Sequence, residues 1–510
     1  MIFVLAPLCR HSMACVHQIA CLTHDLANVF LQNFFNIING ETVSSAVTQH
    51  GINPANKEPN PPVPVASPAE LDKAVAAAQV AFEQWSPFPL EDRRKALFAY
   101  SDALNAEKDG FTSLLTKEQG KPLSQAAMEV EMAVAWIKGL ASLEIPEVVL
   151  ENSSERKIVQ RFTPIGVAAA IVPWNFPVLL AIGKVVSALI TGNSIIVKPS
   201  PFTPYTALKL TELAIPFVPP GVFQALSGDD QLGPWMTRHP GILKVSFTGS
   251  TLTGKRIALA GAETFKQCTL ELGGNDPAII CKDVDLDALV PKGDQNLGQV
   301  EDKLLMLDPT RVAPLCFLNS SQVCMMIKRL YVHESIYEAF RDKLAAHVKT
   351  LPVGNGVQPD VFLGPVQTEM QYNKARDLLS SISAEGLRPA LGGTVEESAG
   401  YFIHPTIVDN PPDTARVVTE EAFAPILPLL KWQTEEEVIA RANADPAGLG
   451  GSVWSRDLDQ AQRLASRLEC GSVWINSHFA VAPHVPFGGR KESGSGVEWG
   501  VDGLKAYCNP

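Results

Sequence analysis

The residues best suited to chemistry lie in the segment FLNSSQVCMMIKR, residues 317–329, which has Cys324 near its centre. Polar residues precede this cysteine, and an apolar stretch typical of a buried strand follows it. Such a turn holds a thiol at a fixed place, and a thiolate adds readily to a carbonyl carbon. A lone cysteine is more often a small buried apolar residue, so Cys324 becomes a candidate nucleophile only together with other motifs.

Two other polar residues lie in apolar surroundings that single them out. Glu271 stands between two leucines and before two glycines, at the end of a predicted buried strand. An acid in that place is uncommon unless it is paired or functional, which makes Glu271 a candidate general base. Asn175 lies between Trp174 and Phe176, where an asparagine is typical of a turn and can also serve as an amide donor.

Taken in order, these motifs resemble the aldehyde dehydrogenase superfamily over nearly the whole chain, from about Phe35 to Tyr507. The segments that carry the resemblance are VPWNFP (172–177), IIVKPS (195–200), FTGSTLTG (247–254), TLELGG (269–274), FLNSSQVC (317–324), EEAFAP (420–425) and PFGGRKESGSGVEWG (486–500). A single one of these segments would carry little weight, whereas their combination is highly specific.

The resemblance implies an NAD(P)-dependent, non-acylating enzyme that oxidises an aldehyde to a carboxylate. Family positions make Cys324 the nucleophile and Glu271 the base that activates water for hydrolysis of a thioester. They assign the oxyanion donors to the Asn175 amide and the backbone N–H of Cys324. Lys184 and Glu498 match positions implicated in proton movement, although each alone would pass as a surface charge.

The cofactor contacts are expected outside a G-x-G-x-x-G fingerprint, because none follows a predicted strand. The segment FTGSTLTG places Gly249, Ser250 and Gly254 at a strand-to-helix turn, where backbone N–H groups and the helix dipole can bind a pyrophosphate. Lys198 resembles the family lysine that binds the adenine ribose. The remaining family positions around the cofactor are Trp174, Leu272, Glu421 and Phe423.

The preference between the two nicotinamide cofactors depends on the residue three places after Lys198. Many NAD-preferring relatives carry a glutamate there, which accepts a hydrogen bond from the ribose 2′-OH and repels a 2′-phosphate. This chain has Pro201 instead. We therefore expect NAD as the cofactor, with NADP tolerated.

Two departures from the family pattern bear on activity. Ser321 stands where relatives commonly have a glycine, and a backbone with positive φ there would cost a serine on the order of 1 kcal/mol. Roughly twenty extra residues, at about 293–314, interrupt the short helical segment that is expected before the cysteine turn. These departures leave a second hypothesis open, a catalytically impaired or dead homologue with a structural or binding role. A CoA-acylating relative is a third alternative, and Glu271 argues against it.

Bulk composition limits the partners. The net charge of −12 and the pI near 5.4 argue against nucleic acid, and no apolar run is long enough to span a membrane. We expect a small aldehyde substrate, no metal, and a homodimer or homotetramer. The nine scattered cysteines suit a reducing compartment, so we expect a cytoplasmic protein, with a mitochondrial location as the alternative.

Predicted strands and helices alternate along the chain. This alternation predicts a doubly wound, Rossmann-type sheet followed by a second α/β series, and these elements position the residues named above. We expect a cofactor domain over 35–285 with a β oligomerisation arm at about 150–165, and a catalytic domain over 286–480. Residues 481–510 return to the cofactor domain, and residues 1–34 form an unmatched extension. Ser67, Pro68 and Glu70 predict the start of the first long helix.

Overall fold

Two large β-sheets, each covered by helices, form the frame of the protein in a computed structural model that describes residues 32–290, 311–395 and 397–510. The expected α/β fold, with a doubly wound sheet and a second α/β unit, is confirmed. Of the predicted extension 1–34, residues 1–31 lie outside the described residues. Its last residue, Phe34, is buried and packs edge-to-face on Tyr205, with ring centroids 4.8 Å apart.

The first sheet has eight strands, and its five central strands are parallel. In spatial order the strands are Glu41–Val43, Asn36–Ile38, Phe223–Ala225, Ser194–Lys198, Val167–Ile171, Lys244–Thr248, Gln267–Glu271 and Gly494–Ser495. Numbered along the chain, the central strands follow the order 3-2-1-4-5, which is that of a dinucleotide-binding sheet. The order reverses between Val167–Ile171 and Lys244–Thr248, so a ligand is expected beyond the carboxyl ends of these two strands.

The second sheet has seven strands, which are parallel except at one edge. In spatial order they are Pro389–Leu391, Thr406–Asp409, Ile426–Trp432, Ile327–His333, Asp276–Ile280, Gly450–Trp454 and Ser472–Ile475. The chain crosses from the first sheet to the second between Glu271 and Asp276, ahead of the boundary that the sequence suggested at 285. The cause is local, because the strand DPAII is apolar enough to be buried on both faces, as a central parallel strand must be.

Helices cover both sheets. Those associated with the first sheet are Pro68–Trp85, Leu90–Ala106, Lys108–Gln119, Leu123–Ala141, Pro177–Ile190, Tyr205–Ala214, Leu232–Arg238, Thr251–Ala262 and Gly500–Lys505. The others are Leu286–Leu289, Val312–Phe317, Glu334–Val348, Glu369–Ala384, Arg416–Thr419, Glu435–Asn443 and Leu458–Ala465. The predicted start of the first helix is confirmed, since Ser67 and Glu70 form a capping box with Pro68 at the first turn. In the described ranges, none of the helices combines the length and apolar character that crossing a bilayer requires.

Short two-stranded elements complete the fold. The hairpin Val148–Asn152 with Lys157–Gln160 covers most of the expected arm at 150–165. The other pairs are Val47–Ile52 with Pro59–Val65, Thr163–Pro164 with Cys508–Asn509, and Ala447–Gly448 with Arg490–Lys491. The last two pairs bring the end of the chain back to both halves of the molecule.

Candidate active site

A strained turn places Cys324 between the two sheets. The short helix Val312–Phe317 runs into a 3-10 turn at Leu318–Ser321, and strand Ile327–His333 begins three residues after the cysteine. Asn319, Ser320 and Ser321 all have positive φ, between 51° and 60°. Residues other than glycine rarely adopt this conformation, so three in succession mark a turn that the surrounding packing imposes.

Ser321 stands in the backbone conformation that glycine would tolerate best, with φ of 60°. Its hydroxyl donates a hydrogen bond of 2.6 Å to the carbonyl of Cys316, and its own carbonyl accepts from the Lys328 ammonium. The positive φ, the condition under which the sequence predicts a cost for a serine here, is therefore present. The serine also supplies a hydrogen bond that a glycine lacks, and this bond offsets part of the strain.

The sequence predicts an insertion at about 293–314. Its residues up to 310 lie outside the described residues. The apolar segment Val312–Phe317 already forms a helix that is buried throughout. The helix therefore begins inside the range expected for the insertion, because VAPLCF packs into the core and not on the surface. The cysteine turn is therefore preceded directly by one buried helix.

Four of the five predicted catalytic side chains line one small cavity. Cys324, Glu271, Lys184 and Glu498 surround a space of ≈ 20 Å³. The cavity is closed by Leu180, Thr248, Met325, Phe487 and Trp499. A single water needs roughly 10–15 Å³ of such space. The structure thus brings a thiol and a carboxyl group together around room for about one water molecule.

Glu271 is buried at the end of strand Gln267–Glu271 and has an oxygen, Oε1, without a hydrogen-bond partner. Burial raises its pKa well above the ordinary value, and the nearby Glu498 raises it further, while Lys184 opposes the shift. A carboxyl group with a raised pKa and an unpartnered oxygen facing a cavity is suited to accept a proton.

The Cys324 thiol is held in its neutral form. Burial raises its pKa, and the carboxyl groups of Glu421, Glu271 and Asp276 raise it further, with the backbone N–H of Met325 acting in the opposite direction. A thiol in this environment needs a base at the moment of reaction, since only the thiolate is strongly nucleophilic.

Lys184 and Glu498 form a buried ion pair and not two surface charges. Nζ of Lys184 lies 2.8 Å from Oε1 of Glu498 and 2.8 Å from the Ser246 hydroxyl, which also donates to Glu498. The other carboxylate oxygen, Oε2 of Glu498, is buried without a partner. The pair lies beside Glu271, where it can pass a proton to or from that carboxyl group.

Asn175 begins the approach to helix Pro177–Ile190 and faces the cysteine turn. Its side-chain amide donates a hydrogen bond of 2.9 Å to the carbonyl of Gln322. Its backbone carbonyl accepts from Lys121 Nζ at 2.8 Å and from the Asn319 amide at 3.3 Å. Asn175 is therefore fixed next to the residues that carry Cys324, as an oxyanion donor would need to be.

Lys121 and Glu129 hold Asn175 in place, and sequence reasoning missed both. Each side chain is fully buried, and the two form an ion pair. Glu129 Oε1 also accepts from the backbone N–H groups of Val178 and Leu179, at 2.9 and 3.1 Å, which caps the helix after Asn175. A lysine and a glutamate eight residues apart give no signal of this role.

The predicted pyrophosphate residues lie at the point where the strand order of the first sheet reverses. Ser250 caps helix Thr251–Ala262 by accepting from the Thr253 N–H, and Gly249 donates to the carbonyl of Glu271 at 3.0 Å. Thr248 Oγ1 beside them is buried without a partner. Gly254 allows the helix to pack on Leu272, since a Cβ there would stand 2.4 Å from the Leu272 side chain.

The other predicted cofactor residues fall into two groups. Lys198 is buried at the end of strand Ser194–Lys198, and its Nζ donates to the carbonyl of Pro199 at 3.0 Å. Trp174 and Phe423 meet edge-to-face across the gap between the sheets, with ring centroids 5.7 Å apart. Glu421 accepts from the backbone N–H of Gly274 at 3.2 Å. Lys198 therefore lies at a strand end of the first sheet, whereas Trp174 and Phe423 are in contact with each other and Glu421 binds the backbone at Gly274.

The chain is similar to known proteins over most of its length. The aldehyde dehydrogenase family pattern matches residues 42–296 and 308–510. Aldehyde dehydrogenase LUC3 of Fusarium sp is 40% identical over 477 residues, covering 93% of this chain and 97% of that protein. Human retinaldehyde dehydrogenase 3 is 35% identical over 464 residues, covering 89% and 87%. The NAD⁺ complex of an aldehyde dehydrogenase from Bacillus cereus superposes with a TM-score of 0.89 at 30% identity, covering 95% and 97%.

The match to the family covers nearly all of the first sheet, the whole second sheet, the cysteine turn and the segment 486–500, and it leaves residues 297–307 unmatched. The resemblance that the motifs suggested is confirmed. The chain belongs to the aldehyde dehydrogenase family.

Proposed function

We propose that this protein oxidises a small aldehyde to a carboxylate with NAD, through a covalent adduct on Cys324. The observation that carries the proposal is the cavity in which the Cys324 thiol and the unpartnered Glu271 carboxyl group face the same water-sized space. A nucleophile and a base around one such space suit a reaction that first needs a thiolate and then an activated water.

In the first step, Glu271 takes the proton of Cys324, either directly or through a water molecule that the cavity can hold. The thiolate then attacks the aldehyde carbon and gives a tetrahedral thiohemiacetal. The developing oxyanion is stabilised by the Asn175 amide and the backbone N–H of Cys324. The hydrogen bonds between Asn175 and the cysteine turn hold the Asn175 amide close to the nucleophile.

The residues of the first sheet fit a dinucleotide. The exposed first turn of helix Thr251–Ala262, capped by Ser250, offers N–H donors for the pyrophosphate, with the orphaned Thr248 hydroxyl beside them. The buried Lys198 would hold the adenine ribose, and Trp174, Glu421 and Phe423 would border the nicotinamide ribose. NAD, when bound, supplies the acceptor for the hydride that leaves the adduct carbon.

Hydrolysis of the thioester on Cys324 is the second task of Glu271. The carboxylate accepts a proton from a water in the cavity, and that water attacks the acyl carbon. The buried Lys184–Glu498 pair lines the same cavity and would first take the thiol proton from Glu271, which frees the carboxylate for this second task. Cleavage of the carbon–sulfur bond then releases the carboxylic acid, and the proton on Glu271 returns to the Cys324 thiolate.

The exposed hairpin supports association of this protein with further copies of itself. Val149 and Leu150 are 52% and 63% exposed on an arm whose strands pair only with each other. A second copy of this chain would cover these side chains, in a homodimer or homotetramer. The cysteines of the described part are all free thiols, which suits a cytoplasmic protein.

A catalytically impaired homologue is the second candidate. The observations that favour it are the unmatched residues 297–307 ahead of the cysteine turn and the strained Ser321. Both act on the position of Cys324, whose displacement by about 1 Å can cost on the order of a hundredfold in rate.

Substitution of the nucleophile and the base separates the two candidates. Cys324→Ala should abolish NADH formation from aldehydes, whereas Cys470→Ala, which removes a partly buried thiol elsewhere, should leave it unchanged. Glu271→Gln should still bind NAD and lose at least roughly a hundredfold in rate, the usual scale for a lost base. Full activity in Cys324→Ala would refute the assignment, and a wild-type protein inactive over a broad aldehyde screen would favour the impaired homologue.

A further inference from the structure

Pro201 provides no carboxylate for the adenine ribose, but a neighbouring segment with two aspartates lies close to Lys198. Strands Ser194–Lys198 and Phe223–Ala225 are parallel neighbours, and the Leu226 N–H donates to the Val197 carbonyl at 2.9 Å. The two strands therefore end side by side. The segment after the second strand, which contains Asp229 and Asp230, must pass next to Lys198.

Contacts at the start of helix Leu232–Arg238 fix this segment against the lysine. A Cβ built on Gly233 would stand 3.9 Å from Cε of Lys198, so the helix start lies against the lysine stem. Oδ1 of Asp229 accepts from the Gln231 N–H at 2.9 Å, which orders the turn before the helix. Both aspartates are exposed, so their carboxylates are open to a ligand.

The charges of this segment act on Lys198. Burial lowers the pKa of Lys198 to about 8, and Asp230 and Asp229 are the carboxylates that oppose this shift. The lysine Nζ donates to a backbone carbonyl, so its other N–H groups can bind a ribose hydroxyl. The ribose end of the proposed cofactor site therefore combines one buried cation with two neighbouring carboxylates.

We infer that Asp229 and Asp230 replace the carboxylate missing at Pro201 and make the protein select NAD over NADP. A 2′-phosphate carries a charge of about −1.5 to −2, and two carboxylates within a Debye length disfavour it. This inference rests on the proposed cofactor site and goes beyond it. It also revises the expectation from the sequence that NADP is tolerated.

Fragments of the two cofactors test the inference without catalysis. Calorimetry would measure the affinity of the full-length protein for 5′-AMP and for adenosine 2′,5′-bisphosphate, which differ at the ribose 2′ position. The wild-type protein should prefer 5′-AMP. Asp229→Asn/Asp230→Asn should shift the affinity ratio towards the bisphosphate by on the order of tenfold, and dissociation constants for NAD and NADP should shift in the same direction.

The matched control removes two exposed acids elsewhere on the same half of the molecule, as Glu83→Gln/Glu263→Gln. Its ratio should stay at the wild-type value, because the general loss of negative charge is the same. An unchanged ratio in the aspartate variant, or an equal change in the control, would overturn the inference while leaving the cofactor site intact. If 5′-AMP fails to compete with NAD for the wild-type protein, the placement of the ribose at Lys198 is wrong, and both proposals fall.

Discussion

Glu271 illustrates how one residue gains its chemistry from its surroundings. The carboxyl group is buried, lies near Glu498, and keeps one oxygen without a partner. In water, a glutamate with an ordinary pKa is too weak a base to deprotonate a thiol efficiently. The raised pKa of Glu271 makes the same group a better base near neutral pH.

The raised pKa of Glu271 predicts a pH-dependent stability difference. Because the folded-state pKa lies above the unfolded value, this group contributes most stability below the unfolded pKa, and that contribution is lost as pH rises through the folded pKa. The Tm of Glu271→Gln relative to wild type should therefore increase from pH 5 to pH 9. Activity of the wild type should fall on acidification, as the base is protonated.

Glu263→Gln, at an exposed site, is the control for this measurement and should show a constant Tm difference over the same range. A Tm difference between Glu271→Gln and wild type that does not change with pH would show that the pKa of Glu271 is not raised.

Ser321 offers a second prediction at the scale of a residue. Ser321→Gly removes the hydrogen bond to the Cys316 carbonyl and relieves the positive φ, two effects of about 1 kcal/mol each and of opposite sign. We expect its stability to stay close to that of the wild type. Ser321→Ala loses the bond and keeps the strain, so it should be destabilised by roughly 1 kcal/mol. Thermal unfolding of the two variants checks this, and equal Tm values for them would contradict it.

At the scale of elements, the helix Pro177–Ile190 depends on the charge pair of Glu129, from helix Leu123–Ala141, with Lys121, which lies just ahead of that helix. Glu129 caps it, and Lys121 links that cap to the carbonyl of Asn175. Lys121→Met should destabilise the protein by about 3–5 kcal/mol, because it leaves the Glu129 carboxylate buried without its counter-ion. It should also lower kcat more than NAD affinity, since Asn175 loses a donor that positions it.

Lys108→Met is the matched control, because Lys108 pairs at 2.8 Å with Glu131 on the same helix as Glu129, at an exposed site. Exposed pairs contribute about 0–1 kcal/mol, so this variant should unfold near the wild-type temperature. A similar loss of stability in both variants would show that burial of the Lys121–Glu129 pair has no special role.

The sequence predicted those parts of the site that rest on short, ordered motifs. Glu271 ends a predicted strand and Gly249 follows one, and the carboxyl ends of parallel strands meet at one edge of a sheet. Cys324 instead lies just ahead of a predicted strand. The pairing of Lys121 with Glu129 could not be predicted, because it depends on how the connection between helices Lys108–Gln119 and Leu123–Ala141 folds back against the second helix. The early entry of Asp276 into the second sheet was missed for a similar reason, since an apolar run does not tell which sheet it joins.

For the whole molecule, the site depends on the approach of two sheets between which the chain crosses after Glu271 and again after Ile475. Cys324 and Glu421 come from the second sheet, whereas Glu271, Asn175 and Lys184 come from the first. The segment that carries Cys324 begins with the buried helix Val312–Phe317. Changes ahead of this helix therefore act on the relative position of the nucleophile and the base.

Deletion of residues 297–307, which the family pattern leaves unmatched, tests this dependence. A longer loop costs only about 0.6 kcal/mol for each doubling of its length, so the deletion should change stability little. We expect it to raise kcat and to leave NAD affinity unchanged, because the helix at Val312 would be anchored more closely. Deletion of 293–314 should instead destabilise the protein, since it removes Val312 and Ala313 from the core. If the shorter deletion leaves a folded protein without activity, those residues are a functional element of the enzyme.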